Sequence, residues 1–142
     1  MKKFFAILFL SISIPEIFCA QTNSAIDLLE KGKALFELDD DDNAIDVLTE
    51  AIKLDPSLAE AYVFRARINN SKGNYDQGMA DANRAIQLNP KLALAYYARG
   101  NTYRSTGDYN RAIEDYNEAI RLNPNDAGIR WRLENAVQKR GQ

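Results

Sequence analysis

The sequence contains no histidine, and Cys19 is its only cysteine. Without an imidazole, the chain lacks the side chain that most often serves as general base, proton shuttle or metal ligand near neutral pH. A single thiol cannot form an intramolecular disulfide or a multi-cysteine zinc or iron–sulfur site. Hydrolysis by a Ser–His–Asp or Cys–His group is therefore excluded. We expect a protein that is not an enzyme and has no cofactor or metal, with a carboxylate-dependent hydrolase as a formal alternative only.

Strong charge of one sign is also missing. The 142 residues carry a net charge of −2, with 27% charged and 46% hydrophobic residues. A balance so near neutral does not favour nucleic acid or an anionic membrane surface as a partner. The length suits one domain, and the composition is that of an ordinary folded domain.

Residues 1–20 differ in composition from the rest of the chain. Two lysines precede an apolar run of eleven residues, Phe4–Ile14, which ends at Pro15. Because a bilayer-spanning helix needs about twenty residues, this pattern is typical of a secretory signal peptide. We predict an exported protein, in a bacterial periplasm or secreted, cleaved after Ala20. The alternative is a lipoprotein anchored through Cys19, and no other link to a membrane is expected.

The most informative feature is internal repetition with a period of 34 residues. GDYNRAIEDYNEAIRLNP at 107–124 follows GNYDQGMADANRAIQLNP at 73–90, and no gap is needed to align the copies. The units are 25–58, 59–92 and 93–126, followed by a partial unit at 127–142. Such self-similarity indicates a repeat architecture, in which each unit buries its apolar face against its neighbours.

Each unit is predicted to hold two helices. In the third unit, large and small residues recur at spacings of three and four, as in an amphipathic helix. Gly107 is expected to end the first helix in a left-handed conformation, and Asp108 to cap the second. Pro124 is expected to end the second helix, because proline disfavours helix in the residue before it.

These residues resemble the tetratricopeptide repeat family. The family signature of large, small, aromatic, alanine, aromatic, alanine and proline is matched in the third unit by Tyr96, Gly100, Tyr103, Ala112, Tyr116, Ala119 and Pro124. The resemblance covers residues 25–142 and places a repeat domain at 21–142. It implies an all-α, right-handed superhelical solenoid of antiparallel helix pairs, with a concave groove lined by the first helix of each pair.

The last segment, 127–142, resembles the cap helix of that family. We predict that three apolar residues face inward and that the basic residues meet water. The apolar set is Leu133, Ala136 and Val137, and the basic set is Arg130, Arg132, Lys139 and Arg140.

The second unit departs from the pattern. Asn69 and Ala82 stand where the other units favour aromatic or large residues, and Gly78 replaces an alanine. Glycine inside a helix costs about 1 kcal/mol relative to alanine, and the missing side chains leave volume to fill. We therefore predict that hydrogen exchange shows residues 78–85 opening first.

The acidic run at 39–42 resembles an EF-hand only in part. Asp39, Asp41, Asn43 and Glu50 have calcium-ligand spacing, but Ala44 stands where the loop needs glycine. The repeat register also makes Asn43 onward a helix, on which these ligands could not surround one ion. We predict that the charges favour the start of a helix instead.

Two arginines occupy first-helix positions that the family usually gives to leucine. Arg65 and Arg99 each precede an aspartate by sixteen residues, Asp81 and Asp115. We predict ion pairs between the two helices of each unit, with the arginine stems on apolar surface. The alternative is a basic ligand site.

A separate stripe of the first helices is the candidate groove surface. Positions two, five, nine and twelve, counted from the first residue of each unit, share this stripe. Its amides and cations lie beside aromatics, which suits a peptide. The predicted peptide-binding residues are Lys33, Val63, Phe64, Arg67, Tyr97, Asn101, Arg104, Trp131, Arg132 and Asn135. We predict a non-catalytic module with a protein or peptide ligand and no small-molecule substrate; the alternative is a solvated face.

The carboxylate clamp with which some family members grip a peptide C-terminus is absent. It needs lysine at position five and asparagine at position nine of one unit, where this chain has Leu29 and Lys33. It also needs asparagine at position six of the next unit, where Phe64 stands. Lysine and arginine at positions two and six of a third unit are replaced by Leu94 and Ala98. A chaperone-type C-terminal tail is not the expected ligand.

Charge is spread unevenly along the chain. Residues 21–58 hold ten acidic and three basic residues, a net −7, while residues 127–142 hold four basic and one acidic residue, a net +3. Opposite ends could support weak head-to-tail self-association, although such fields fade within about 8 Å at physiological salt. The alternative function is a structural adaptor of a cell-envelope assembly, using its convex face or solenoid ends.

Overall fold

The computed structural model describes residues 24–142, so the predicted signal peptide and Cys19 lie outside the described part. Within this range the secondary structure consists of seven α-helices and no strand. The helices are α1 (Ala25–Glu37), α2 (Asp41–Leu54), α3 (Ala59–Ser71), α4 (Tyr75–Leu88), α5 (Ala93–Ser105), α6 (Tyr109–Leu122) and α7 (Ala127–Arg140). None of these seven is long and apolar enough to cross a bilayer.

The helix boundaries repeat with the sequence. α3 and α5 are followed by Gly73 at φ 80° and Gly107 at φ 85°, in the left-handed region that glycine adopts without strain. Asp39 holds the same place after α1 at φ 57°. The predicted cap on α6 is confirmed, because the Asp108 carboxylate accepts a hydrogen bond from the backbone N–H of Arg111 at 3.1 Å.

The acidic run begins a helix, as predicted, but earlier than expected. α2 starts at Asp41, two residues before the predicted start at Asn43. Asp40 makes no side-chain bond to the helix backbone; its carboxylate accepts both contacts, 3.0 and 2.9 Å, from the Asn43 side-chain amide. Asp41 and Asp42 lie in the first turn, where the helix dipole favours negative charge. Within residues 24–142, no three potential metal ligands lie together.

The helices pack as three pairs and a final helix. α1 with α2, α3 with α4, and α5 with α6 form the pairs, while α7 packs against α6. The first helices of successive pairs also contact each other, α1 with α3 and α3 with α5, so they form one continuous face. The predicted all-α solenoid of helix pairs is confirmed.

The interior of the solenoid changes in character along the chain. Leucines and Phe64 dominate the first buried cluster, and Tyr116 with Ile129 anchors the last. The middle cluster consists of Val63 and five alanines: Ala66, Ala82, Ala85, Ala95 and Ala98. Small residues here let α3, α4 and α5 approach one another closely.

The second unit fills its missing volume with a polar side chain. A methyl group added to Gly78 would overlap Oδ1 of Asn70, so the Asn70 side chain occupies that space. Its Nδ2 donates to the Ala98 carbonyl at 3.1 Å, and Oδ1 accepts from the Thr102 hydroxyl at 2.9 Å. This bridge links the second unit to the third. The early opening of residues 78–85 stays a prediction.

The cap helix agrees with the prediction at Leu133 and Ala136 and departs from it at two residues. Ile129 and Ala136 are its buried residues, with Leu133 half-buried beside them. Val137 is 42% exposed, so its predicted inward orientation is wrong. Arg132 is half-buried and not fully in water, because it borders a cavity on the face of the first helices.

Candidate functional site

A cavity of about 220 Å³ lies on the face formed by the first helices. Its walls come from α1, α3, α5 and the cap helix α7. The lining residues are Phe36, Arg67, Asn70, Ser71, Tyr97, Asn101, Arg104, Ser105 and Arg132. We call this cavity the groove, and it combines aromatic rings, amides and cations, with no carboxylate among its lining residues.

Three cations of the groove come from three different helices. Arg67, Arg104 and Arg132, here called the groove arginines, belong to α3, α5 and α7. Within residues 24–142, none of them forms a salt bridge with a carboxylate. Nε of Arg104 is buried and has no hydrogen-bond partner there. The groove therefore holds three positive charges without an internal counter-ion.

Aromatic rings contact two of these cations: the guanidinium carbon of Arg132 lies 5.1 Å from the ring centroid of Trp131, and Arg67 lies against two phenylalanines. The Arg67 guanidinium carbon lies 4.6 Å from the ring centroid of Phe36 and 5.3 Å from that of Phe64. The two rings meet edge to face, with centroids 5.8 Å apart. Cation–π contacts of this kind are favourable by about 0.5–1 kcal/mol at exposed sites. Arg67 is thus oriented by packing while its hydrogen-bond donors stay uncommitted.

Asn101 presents its amide to the groove because a buried tyrosine occupies its carbonyl. The Tyr116 hydroxyl donates to Oδ1 of Asn101 at 2.8 Å. Burial raises the pKa of Tyr116 to about 12, and the opposing charges of Arg104 and Arg132 do not cancel that rise. The hydroxyl consequently stays protonated at neutral pH, and Nδ2 of Asn101 is left as a donor for a ligand.

Arg65 and Arg99 behave differently from the groove arginines. Arg65 binds Asp81 through Nε and Nη2, both at 2.8 Å, and Arg99 binds Asp115 with the same two distances. The predicted ion pairs are confirmed, and we call these two the seam arginines. Each also reaches the preceding unit through Nη1, to Thr49 and to Asn83, at 3.0 Å. Their aspartate hydrogen bonds raise the pKa of both guanidinium groups.

Five of the predicted peptide-binding residues line the groove: Arg67, Tyr97, Asn101, Arg104 and Arg132. Lys33 does not line the groove; its Nζ instead contacts Glu30 at 2.9 Å and Glu60 at 3.6 Å. The Glu30 hydrogen bond is the main cause that raises the pKa of Lys33. Asn135 is half-buried on α7 and does not line the groove either.

The prediction at Val63 is wrong. Val63 has no exposed surface and packs with Ala95 and Ala98 of the next unit. In the second unit position five therefore faces the following first helix, whereas Tyr97 at position five of the third unit lines the groove. Phe64 is only 8% exposed and supports Arg67 from below. Trp131, at position five of α7, is 57% exposed because no described helix covers it. It does not line the groove.

Four lining residues were not predicted: Phe36, Asn70, Ser71 and Ser105. Phe36 and Asn70 share position twelve with Arg104 at the 34-residue spacing, so the repeat register could have identified them. Asn70 differs from Asn101 in that both of its polar groups are already bonded within the fold. It shapes the groove without offering a free donor or acceptor.

Two larger cavities lie at the ends of the helices. One of about 530 Å³ is formed by residues 73–77 and Thr106, and one of about 590 Å³ by the starts of α1 and α3 with the ends of α2 and α4. The second includes Asp55, whose pKa is lowered by its hydrogen bond from Ser57. Neither contains an arginine or a lysine. Chemistry, and not volume, singles out the groove.

Comparisons with known proteins agree with this architecture. Residues 29–93 and 93–126 each match a family model described as tetratricopeptide repeat. The protein SGT1 homolog of Oryza sativa subsp. japonica is 43% identical over 63 residues, which is 44% of this chain but only 17% of the rice protein.

Two examples of similar solved structures cover most of the chain. The first repeat domain of Spaghetti (RPAP3), bound to the HSP90 peptide SRMEEVD, is 27% identical with a TM-score of 0.78, over 84% of this chain and 95% of that one. The crystal structure of MamA is 30% identical with a TM-score of 0.73, over 84% of this chain and 70% of MamA.

Proposed function

Because this chain belongs to the tetratricopeptide repeat family, we propose that it is a non-catalytic interaction module that binds an extended peptide segment in the groove. The observation that carries the proposal is the set of uncommitted donors in one cavity. The groove arginines form no salt bridge with a described carboxylate, and Nδ2 of Asn101 donates to no described acceptor; of the three arginines only Arg104 faces an internal hydroxyl, that of Tyr116. A polypeptide supplies carbonyl acceptors at regular intervals, and its side chains can lie against Tyr97 and Phe36.

The size of the groove favours a peptide segment over a small molecule. Pockets for drug-sized ligands and cofactors usually enclose about 300–1,000 Å³. The groove, at about 220 Å³, is smaller and has room for only a few side-chain atoms at a time. A chain that passes over it and inserts one residue fits this dimension. We propose no small-molecule substrate and no nucleic acid.

The similar structure of RPAP3 holds an HSP90 peptide, and that ligand chemistry does not transfer directly to this chain. Where the clamp needs lysine, Leu29 is buried at 4% exposure, and Ala98 is fully buried where it needs arginine. Lys33 is engaged by Glu30 and Glu60. We therefore propose a peptide ligand that binds to the groove-lining residues between positions 67 and 132.

A random peptide library tests this proposal. The full chain is used as bait, and selected peptides are measured for affinity against a Tyr97→Ala, Asn101→Ala variant that keeps its helical circular dichroism. We expect the affinity to fall at least tenfold in this variant. Asn117→Ala, which removes an exposed amide from α6, is the matched control and should change the affinity less than twofold. Equal affinity for all three proteins would move the binding site out of the groove.

A structural adaptor that binds through the solenoid ends is the second candidate. Its specific support is the exposed apolar surface of α7, where Trp131 is 57% and Val137 42% exposed. Such residues can pack against another helix, including α1 of a second copy in weak head-to-tail association. Trp131→Glu should then abolish a partner contact or self-association in sedimentation equilibrium while the groove variant does not. The reverse pattern would exclude the end of the solenoid as the contact.

We propose that residues 1–20 direct export to a bacterial periplasm or to secretion. The support is the lysine-led apolar run in the sequence alone. Mass spectrometry of the mature N-terminus tests it. A chain that begins at Gln21 would support cleavage after Ala20, and a lipid-modified Cys19 would support the anchored alternative. An intact Met1 in envelope fractions would contradict both.

A further inference from the structure

The groove arginines form a cluster of positive charge without a carboxylate partner in the part of the chain that the structure describes. Seven arginines and lysines of the described chain form salt bridges with carboxylates, and both seam arginines are among them. The three groove arginines border one cavity and have no such partner. Like charges in one small space repel each other, and the repulsion grows where water is partly excluded. A bound anion would relieve it.

One atom of the cluster shows that the fold does not satisfy Arg104 internally. Nε of Arg104 is buried, yet no acceptor within residues 24–142 is in hydrogen-bond reach. A buried donor without an acceptor costs about 1–3 kcal/mol, and more for a charged group. Because Nε itself is buried, an incoming acceptor meets Arg104 only at the part of its side chain that lines the groove.

Helix dipoles offset only a part of this charge. The groove lies near the C-terminal ends of α1, α3 and α5, and Arg104 is in the last turn of α5. Each helix end carries a charge equivalent to roughly −0.5, so three ends contribute about −1.5 against three full positive charges. The groove stays strongly positive, and an anion remains the complementary ligand.

The chemistry of the cluster favours carboxylate. A guanidinium group presents parallel N–H donors that match the two oxygens of a carboxylate. Arg67 is held in orientation by Phe36 and Phe64, so little side-chain freedom is lost when it binds. The groove is also too small for a nucleotide-sized anion. An acidic side chain of a polypeptide fits the charge, the geometry and the volume together.

We propose that the groove recognises an acidic residue of its peptide ligand, whose carboxylate lies among Arg67, Arg104 and Arg132 while the amide of Asn101 donates to the peptide backbone. This inference rests on the proposed peptide-binding function and specifies which peptides the groove prefers. It places recognition at positions nine, twelve and six of successive units. Positions nine and six also occur in the carboxylate clamp, but there they carry asparagine and arginine beside two lysines, whereas here Arg104 at position twelve completes a set of three arginines.

Fluorescence anisotropy with labelled nine-residue peptides of glycine and serine tests the selectivity. The peptides carry Glu-Glu, Gln-Gln, Lys-Lys or two phosphoserines at the centre, and the full chain is titrated at about 50 and 200 mM salt. We expect Glu-Glu to bind at least tenfold more tightly than Gln-Gln, with a preference that weakens at the higher salt. Lys-Lys should show no measurable binding. Tighter binding of the phosphoserine peptide would overturn carboxylate as the ligand group.

A matched pair of arginine variants separates the groove from general electrostatics. Arg104→Gln and Arg84→Gln remove one charge each, and Arg84 is exposed on α4, outside the groove. Arg104→Gln should lose about tenfold in affinity for Glu-Glu, and Arg84→Gln less than twofold. Equal losses in both variants, or equal affinity of wild type for Glu-Glu and Gln-Gln, would overturn the proposal.

The library selection described above keeps the two claims distinguishable. Neutral peptides that bind and are lost in the Tyr97→Ala, Asn101→Ala variant would leave the groove as a peptide site while removing its acid preference. Acidic peptides that bind the full chain equally with and without those two substitutions would remove the groove itself.

Discussion

Arg65 and Arg67 stand two residues apart on α3, and the fold uses them in opposite ways. At 3.6 residues per turn they project from nearly opposite sides of the helix. Arg65 enters the seam between helices and binds Asp81 with two bonds of 2.8 Å. Arg67 borders the groove, stacks on Phe36 and finds no carboxylate among the described residues. The third unit repeats the contrast on α5, with Arg99 in the seam and Arg104 in the groove.

The difference separates charges that hold the fold from charges that are available to a partner. The seam arginine Arg99 forms two hydrogen bonds with Asp115 of its own unit and a third with Asn83 of the preceding unit. It therefore joins α4, α5 and α6. The groove arginines add nothing comparable to the fold. Their contacts with aromatic rings and helix ends are weak and supply no carboxylate, so the cluster is a candidate for recognition whose counter-ion must come from elsewhere.

The largest expected effect comes from breaking the seam. Asp115→Ala leaves Arg99 without its carboxylate in a site where the two side chains are 24% and 8% exposed. Removal of one member of such a buried pair destabilises a protein by about 3–5 kcal/mol. Urea unfolding measures the loss. Asp46→Ala, an exposed change on α2, should alter stability by less than about 0.5 kcal/mol, and a similar small value for Asp115→Ala would contradict the structural role of the seam.

The next largest effect on stability is expected at alkaline pH and comes from the buried hydroxyl of Tyr116. Because the folded-state pKa of Tyr116 is raised to about 12, the folded chain holds its proton more tightly than the unfolded chain. Stability from this group is complete below about pH 10 and is lost as pH rises through about 12, by up to roughly 3 kcal/mol. Urea unfolding between pH 9 and 12 should therefore show a steeper fall for wild type than for Tyr116→Phe.

The groove arginines enter this titration through their charge. Arg104 lowers the pKa of Tyr116 against the effect of burial. Removing that charge in Arg104→Met should raise the folded-state pKa further, so the loss of stability still begins near pH 10 but continues to higher pH and is larger in total. Arg99→Gln is the comparison variant from the seam, because the charge of Arg99 is offset by Asp115. Its stability is lower at the start, so the loss is measured relative to its own value at neutral pH. Parallel curves for wild type and Tyr116→Phe would show that the tyrosine does not titrate with folding.

Much of the fold was predictable because every unit repeats the same local rules. Glycine after the first helix and proline after the second fix the helix ends, as Gly107 and Pro124 show. The sixteen-residue spacing of Arg99 and Asp115 was enough to predict their ion pair, because it recurs one unit earlier. Periodicity and matched spacing are local properties, and a single sequence displays them fully.

The groove was less predictable because its walls are set by contacts between units. Val63 lies on the predicted stripe, but the neighbouring helix α5 covers it through Ala95 and Ala98. Trp131 holds the same position and is exposed, since no described helix packs on it. The helical period gives the direction of a side chain, whereas burial depends on what the next unit places opposite.

A smaller effect on stability is expected at Gly78, which contacts Asn70, a groove-lining residue whose polar groups are bonded within the fold. In an ordinary helix interior Gly→Ala gains about 1 kcal/mol, but at Gly78 the new methyl would overlap Asn70 Oδ1. We expect Gly78→Ala to destabilise by about 1–3 kcal/mol through overpacking. In an Asn70→Ala background the same change should gain stability, and a double-mutant cycle measures this coupling. Additive effects would mean that Asn70 does not occupy the space above Gly78.

The smallest effect on stability is expected in the groove itself, and it returns to α5. Arg99→Met should cost about as much as Asp115→Ala, because it leaves a buried carboxylate unpaired. Arg104→Met removes a buried unsatisfied Nε and a like-charge neighbour, while it gives up a favourable dipole contact of about 0.3–1 kcal/mol. These opposing terms nearly cancel, so we expect a change within about 1 kcal/mol and on the stabilising side.

Urea unfolding of the two methionine variants, paired with anisotropy against the Glu-Glu peptide, separates the two regions directly. Arg99→Met should lose stability and, under conditions where it is folded, keep its affinity. Arg104→Met should keep its stability and lose its affinity about tenfold. If Arg104→Met unfolded as readily as Arg99→Met, the groove arginines would belong to the fold, and the distinction between seam and groove would fail.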